Sequence, residues 1–184
     1  DEKSKQLLEQ LRTPIPASLG HPVKEDCEYK RAGTRNIFMA VEPKGGCRQV
    51  EVTTRRTKGD FVQFIGHLVK KVYVRARKIH LVLDNLNTHF RSSFEEILGV
   101  KEATQMLERV EFHYTPKHAS WLNMAEIEIG IMDRQCTGCR IPNEQTLRSE
   151  VAAWTDRRNQ AKSKIDWKFT RQDADQKLSR HYVS

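Results

Sequence analysis

Three acidic positions, far apart in the chain, carry the residue types that could work on a phosphodiester: Asp1, Asp84, and one acid between Trp121 and Arg134. Breaking or transferring a phosphodiester at neutral pH needs an activated oxygen nucleophile and charge stabilisation on the attacking and leaving oxygens. Two divalent cations about 3.5–4 Å apart supply both, and carboxylates from separate elements bridge and hold them. Mg²⁺ prefers carboxylate oxygens and keeps several waters, so two or three acids suffice without Cys or His. Clustered acids repel one another when no cation is bound, so the site is expected to carry at least one raised carboxyl pKa. On the third stretch Glu126, Glu128 and Asp133 compete. Glu126 and Glu128 are two apart and point to nearly opposite sides of a helix, so only one can face a shared metal. Ile127, Ile129 and Ile131 blur the apolar stripe, and periodicity leaves the choice open.

The elements that must position these acids can be read around Lys78 to His89, Lys-Ile-His-Leu-Val-Leu-Asp-Asn-Leu-Asn-Thr-His. Leu81-Val82-Leu83 stops at Asp84 and a polar cluster follows, which suits a strand buried on both faces. Open α/β sheets place their chemistry just beyond the carboxyl ends of such strands. A capping or turn role for Asp84 is the plainer alternative. Leu7, Leu8 and Leu11 suggest a turn of helix, Thr13 to Pro22 is loop, and Lys24 to Arg35 is polar and exposed. Asn36 to Val41 and Arg48 to Thr53, separated by Pro43-Lys44-Gly45-Gly46, predict an antiparallel hairpin. Phe61, Phe64, Ile65, Leu68, Val69 and Val72 recur at helical spacing behind Asp60. Phe90 to Leu107 is mostly helical, and Val110, Phe112 and Tyr114 alternate as a half-buried strand. A loop from Thr115 to Ser120 leads into the helical Trp121 to Arg134. Another helix restarts at Pro142-Asn143, with a basic tail beyond it.

The chain of 184 residues suits one core-forming domain. Its 32 Lys and Arg against 24 Asp and Glu give a net charge of +8, which favours a polyanionic partner such as nucleic acid over simple solubility. No apolar run reaches membrane-spanning length and no signal peptide opens the sequence. Cys27, Cys47, Cys136 and Cys139 do not form a disulfide framework, which points to a reducing, cytosolic setting. Cys136-Thr-Gly-Cys139 is half of a zinc-knuckle pattern, with no second closely spaced pair to complete it.

Leu-Asp-Asn-Leu-Asn-Thr-His (83–89), together with His-Tyr-Thr-Pro-Lys-His-Ala-Ser-Trp-Leu-Asn-Met-Ala-Glu-Ile-Glu (113–128), resembles the DDE catalytic domain of bacterial insertion-sequence transposases. The group is the one related to mariner elements, the IS-six-thirty group. Asp1-Glu2-Lys3-Ser4, Arg-Arg-Thr-Lys-Gly-Asp-Phe (55–61) and Arg-Gln-Cys (134–136) extend the likeness through nearly the whole chain. The resemblance implies a ribonuclease H-like α/β fold with a mixed sheet flanked by helices. It implies Asp1, Asp84 and Glu126 as catalytic, metal-binding acids for two Mg²⁺ or Mn²⁺ ions, with Glu128 left in a supporting role. The reaction implied is hydrolysis at transposon ends followed by strand transfer into target DNA, by a homodimer that prefers TA targets in the bacterial nucleoid.

Residues 1–140 are read as the catalytic domain, its first strand truncated at its start, and 141–184 as a helical basic extension packed on it. Asp1 as first residue would set its own α-ammonium, of pKa about 8, beside the metals. Asn85, Asn87 and His89 could orient Asp84 or touch the DNA backbone, and a hydrogen-bonded turn explains each equally well. Lys117 and His118 precede the third acid, where a cation could meet a phosphate; a loop hydrogen bond suits His118 better. Arg55, Arg56 and Lys58 could line a DNA track, and Trp121 could stack on a base, though a Trp at a helix start more often joins the core. Gly138 and Cys139 stand where the family usually has larger residues. The alternative reading is a non-catalytic DNA-binding remnant of a transposase; a third is a nuclease of the same fold acting on RNA–DNA hybrids.

Overall fold

Alternation along one long strand organises the molecule. The computed structural model describes residues 1–116 and 119–182, with the side chains of 177–182 left aside. Strand β2 (Tyr29–Glu42) pairs antiparallel with β1 (Glu2–Gln10) on one side and with β3 (Cys47–Thr53) on the other. Successive side chains of a strand point to opposite faces. Phe38 therefore enters one core, while Ile37 and Met39 enter the other. The first core is closed by α1 (Lys58–His67), which buries Phe61, Phe64 and Ile65 with Phe38. A capping box starts this helix: Thr57 Oγ1 accepts from the Asp60 amide and Asp60 accepts from the Thr57 amide, satisfying two otherwise orphaned donors. Leu68 and Val69 continue the buried stripe through a π turn, Leu68–Val72.

Strand β4 (Ile79–Leu83) runs parallel to β5 (Val110–Tyr114), with Ile79 opposite Val110 and Leu83 opposite Tyr114. Between them lie α2 (Arg91–Leu98) and α3 (Val100–Leu107), separated by Gly99 at φ 80°, where a left-handed backbone interrupts the helical stretch. Phe94, Ala103 and Leu107 join the α1 core. The antiparallel and parallel pairings thus occupy separate ladders. A cavity of about 170 Å³ lies between them, lined by Asp1, Phe38, Phe64, Leu81, Leu83 and Leu122 among others.

The second core holds α4 (Met124–Met132) and α5 (Glu144–Gln160) against the other face of β1, β2 and β3. Ile129, Met132, Leu147, Val151 and Trp154 pack there with Leu7, Ile37 and Met39. Asn143 caps α5 by accepting from the Thr146 amide at 2.8 Å. Helix α6 (Arg171–Tyr182) closes the described chain. A π turn, Asp133–Thr137, follows α4 and ends at Gly138, where an added Cβ would stand 2.6 Å from the Asp133 carbonyl oxygen. Close backbone approach accounts for the glycine at this position.

Three expectations are corrected. Leu7 and Leu8 lie in strand β1, not in a helical turn: Leu7 is buried in the second core, and the strand is held by pairing with distant residues of β2. Tyr29 to Thr34 is exposed as expected, with Arg35 half-buried, but the stretch belongs to β2 and pairs with β1 on both sides of a β-bulge. Strand β4 is covered on one face only. Leu83 is 2% exposed but Val82 is 53% exposed, because no described layer lies over its second face.

Candidate active site

Asp84 stands at the end of β4, half-buried, and its position is set by a histidine five residues on. His89 Nδ1 meets Asp84 Oδ1 at 2.6 Å, while its Nε2 meets Glu2 Oε2 at 2.8 Å. The imidazole and the Glu2 side chain are 1% and 2% exposed, and Phe61 packs against the ring with centroids 4.6 Å apart. A buried imidazole between two carboxylates is stabilised as the cation. Burial alone would lower the His89 pKa; the hydrogen bonds to Asp84 and Glu2 outweigh it and raise the value. The same hydrogen bond from His89 holds the Asp84 carboxyl below the usual range, against the opposing effect of burial. At Asp84 the carboxyl pKa is lowered and not raised, because the buried histidine hydrogen-bonds to it.

Glu2 ties this bridge to Asp1. The Glu2 amide donates to Asp1 Oδ1 at 2.7 Å, and Asn123 Nδ2 donates to Asp1 Oδ2 at 3.3 Å. Asn123 is also the cap of α4: its Oδ1 accepts from the Ala125 amide at 3.1 Å and its carbonyl from the Glu126 amide at 3.0 Å. One side chain thus orients Asp1 and starts the helix whose first turn carries Glu126. The Asp1 amino group is buried, donates to the Met39 carbonyl at 3.1 Å, and feels the charges of Glu2, Asp84 and Glu126. Burial lowers its pKa, and the three acids oppose that shift.

The three acids of the third stretch differ in their partners. Glu128 is fully buried and accepts from Arg48 Nε at 2.9 Å and from Arg158 Nε at 2.8 Å. Arg48 is itself buried and donates to the Gly46 carbonyl, so this acid fastens α4 to β3 and α5. Asp133 meets Lys3 Nζ at 2.6 Å and accepts from Thr137 Oγ1 at 2.9 Å. Glu126 is exposed on the first turn of α4 and acts on the Asp1 amino group. Asp1, Asp84 and Glu126 stand at a strand start, a strand end and a helix start, but their carboxylate oxygens are not all within 4.8 Å of one another. A set of carboxylates without thiol or imidazole suits a hard cation such as Mg²⁺ or Mn²⁺.

The remaining predicted contacts divide. Asn85 is engaged in the fold: its Nδ2 donates to the Thr115 carbonyl at 2.6 Å, tying the exits of β4 and β5 together. Asn87 is exposed beside it, and Arg55 and Arg56 are exposed in the loop before α1. Lys58 pairs with Glu96 of α2. Trp121 is 39% exposed and packs edge-on against Phe169, so it sits at the rim and not in the core. Lys117 and His118 lie outside the described residues. Sequence reasoning missed Glu2 altogether; its neighbour Asp1 drew attention, and nothing local signals a partner at residue 89.

No curated protein and no solved structure matches the chain. Residues 1–148 match the family model of the DDE superfamily endonuclease. That span includes Asp1, Asp84 and Glu126, the five strands of the described residues, and α1 to α4. The chain therefore belongs to the DDE superfamily of endonucleases, with the ribonuclease H-like α/β fold and the nuclease- or transposase-type domain of that family.

Proposed function

We propose that the chain is the catalytic domain of a transposase that cuts DNA at element ends and joins the freed 3′ end to target DNA. The finer likeness, to the mariner-related IS-six-thirty group acting as a homodimer on TA targets, rests on the motifs at 83–89 and 113–128. Asp1, Asp84 and Glu126 are the acids that would hold two Mg²⁺ or Mn²⁺ ions. Bound there, such ions supply charge neutralisation at the phosphate and a water of lowered pKa. The chain's own part is orientation. His89 keeps Asp84 ionised and aimed, Asn123 aims Asp1, and the start of α4 presents Glu126 to solvent. Arg55, Arg56, Asn87, Lys117 and His118 are assigned to the DNA backbone; Asn85 and Lys58, engaged within the fold, would serve by shaping the adjoining loops.

The observation that carries the reading is the relay of contacts from Asp84 through His89 to Glu2, adjoining an Asp1 that Asn123 links to the start of α4. The test is Mg²⁺-dependent nicking of DNA by the intact protein beside Asp84→Asn and Glu126→Gln. Each substitution is expected to lower the rate at least about 100-fold, beyond what disturbing a ligand's support costs. Equal nicking by all three rejects the assignment.

A further inference from the structure

The uncovered face of the β4–β5 ladder carries two histidines and a glutamate in contact. His80 stands directly opposite Glu111 in the parallel register, and His113 stands opposite Val82. Alternation sends Ile79, Leu81, Leu83, Val110 and Phe112 to the α1 core and leaves His80, Glu111 and His113 on the open side. His80 Nδ1 lies 3.0 Å from His113 Nε2. His113 Nε2 lies 3.4 Å from Glu111 Oε1, and His80 Nδ1 lies 3.9 Å from Glu111 Oε2.

These separations have a simple geometric meaning. A tetrahedral cation with ligand bonds of about 2.0–2.1 Å keeps neighbouring ligand atoms about 3.3 Å apart. The His80–His113 separation and the one from His113 to Glu111 Oε1 bracket that value, while His80 faces the other carboxylate oxygen, Oε2, at a longer 3.9 Å. The two imidazoles sit on paired strands, so their spacing is set by the ladder and not by a flexible loop. Imidazole nitrogens with one carboxylate suit Zn²⁺ and its borderline neighbours, whereas Mg²⁺ takes oxygen ligands. The donor set is therefore chemically distinct from the acids at Asp1, Asp84 and Glu126.

We propose that His80, Glu111 and His113 form a binding site for a Zn²⁺-class cation, with a fourth position open to water or an external ligand. The site is independent of the transposase reading. Lys78 is its internal competitor, since its ammonium contacts Glu111 Oε2. A cation bound between the strands would brace β4, the strand that ends at Asp84, against β5.

The experiment titrates Co²⁺, then Zn²⁺, into the intact protein in excess Mg²⁺, reading the intense visible bands of four-coordinate Co²⁺. The wild-type chain is expected to bind one Co²⁺ saturably and to release it to Zn²⁺. The His80→Ala/His113→Ala variant, at side chains 59% and 43% exposed, keeps the fold and every cysteine and is expected to bind at least about 100-fold more weakly. Lys78→Met, which frees Glu111, is expected to bind several-fold more tightly. The inference is overturned if wild-type and the double-histidine variant titrate alike, if Mg²⁺ displaces the Co²⁺, or if no four-coordinate spectrum develops.

Discussion

Glu126 and Glu128 are the same residue type, two positions apart on one helix, yet they do opposite things. Glu128 is sealed between Arg48 and Arg158, and removing one partner of a buried ion pair leaves uncompensated charge. Glu128→Ala is expected to destabilise the fold by about 3–5 kcal/mol. Glu126→Gln, on an exposed side chain, should change stability by no more than about 0.5 kcal/mol. Urea unfolding of the two variants checks the contrast. His89 admits a sharper test. His89→Ala strands Asp84 and the buried Glu2, at a cost of about 3 kcal/mol. Adding Glu2→Gln to that variant removes one stranded charge and should recover part of the loss. A double-mutant cycle in which the two losses simply add would show that Glu2 and His89 are not coupled.

At the scale of elements, the turn after α1 joins two layers through Tyr73. Burial, then the nearby charges of Glu42 and Cys47, push its hydroxyl from 10 up to about 12. A folded pKa above the unfolded value contributes stability that is whole below pH 10 and is lost as pH rises through about 12. Tyr73→Phe should therefore flatten the fall in stability across that window, measured by urea unfolding at stepped alkaline pH; an unchanged slope would contradict it. Element types were legible where side chains carry a period. The hairpin turn, the stripe from Phe61 to Val69 and the alternation of β5 all follow local chemistry. Strand β1 was not legible, because Leu7, Leu8 and Leu11 fit a helical turn and only distant pairing with β2 makes a strand of them. The polar half of β2 gave no alternation to read, being exposed throughout. Leu81-Val82-Leu83 looked buried on both sides, since a run of apolar residues does not say whether a second layer covers it.

For the molecule as a whole, two cores on opposite faces of one antiparallel sheet bring the ends of distant segments together. The three acids could be named from the motifs, and the resemblance gave Glu128 a supporting role, which its burial between Arg48 and Arg158 suits. What aims them was not: His89 reaches Glu2 across 87 residues, and Asn123 reaches Asp1 across 122. Such contacts belong to the fold and leave no mark in any local window. The net charge of +8 suits a DNA partner, and the exposed Arg55 and Arg56 lie on the loop that leads into α1. The most direct measurement is Mn²⁺ binding by the intact chain, followed by electron paramagnetic resonance in the presence of DNA. Asp1, Asp84 and Glu126 acting together predict about two ions per chain, with Asp84→Asn and Glu126→Gln each losing at least one. Identical stoichiometry and affinity in the wild-type chain and both variants would contradict the account.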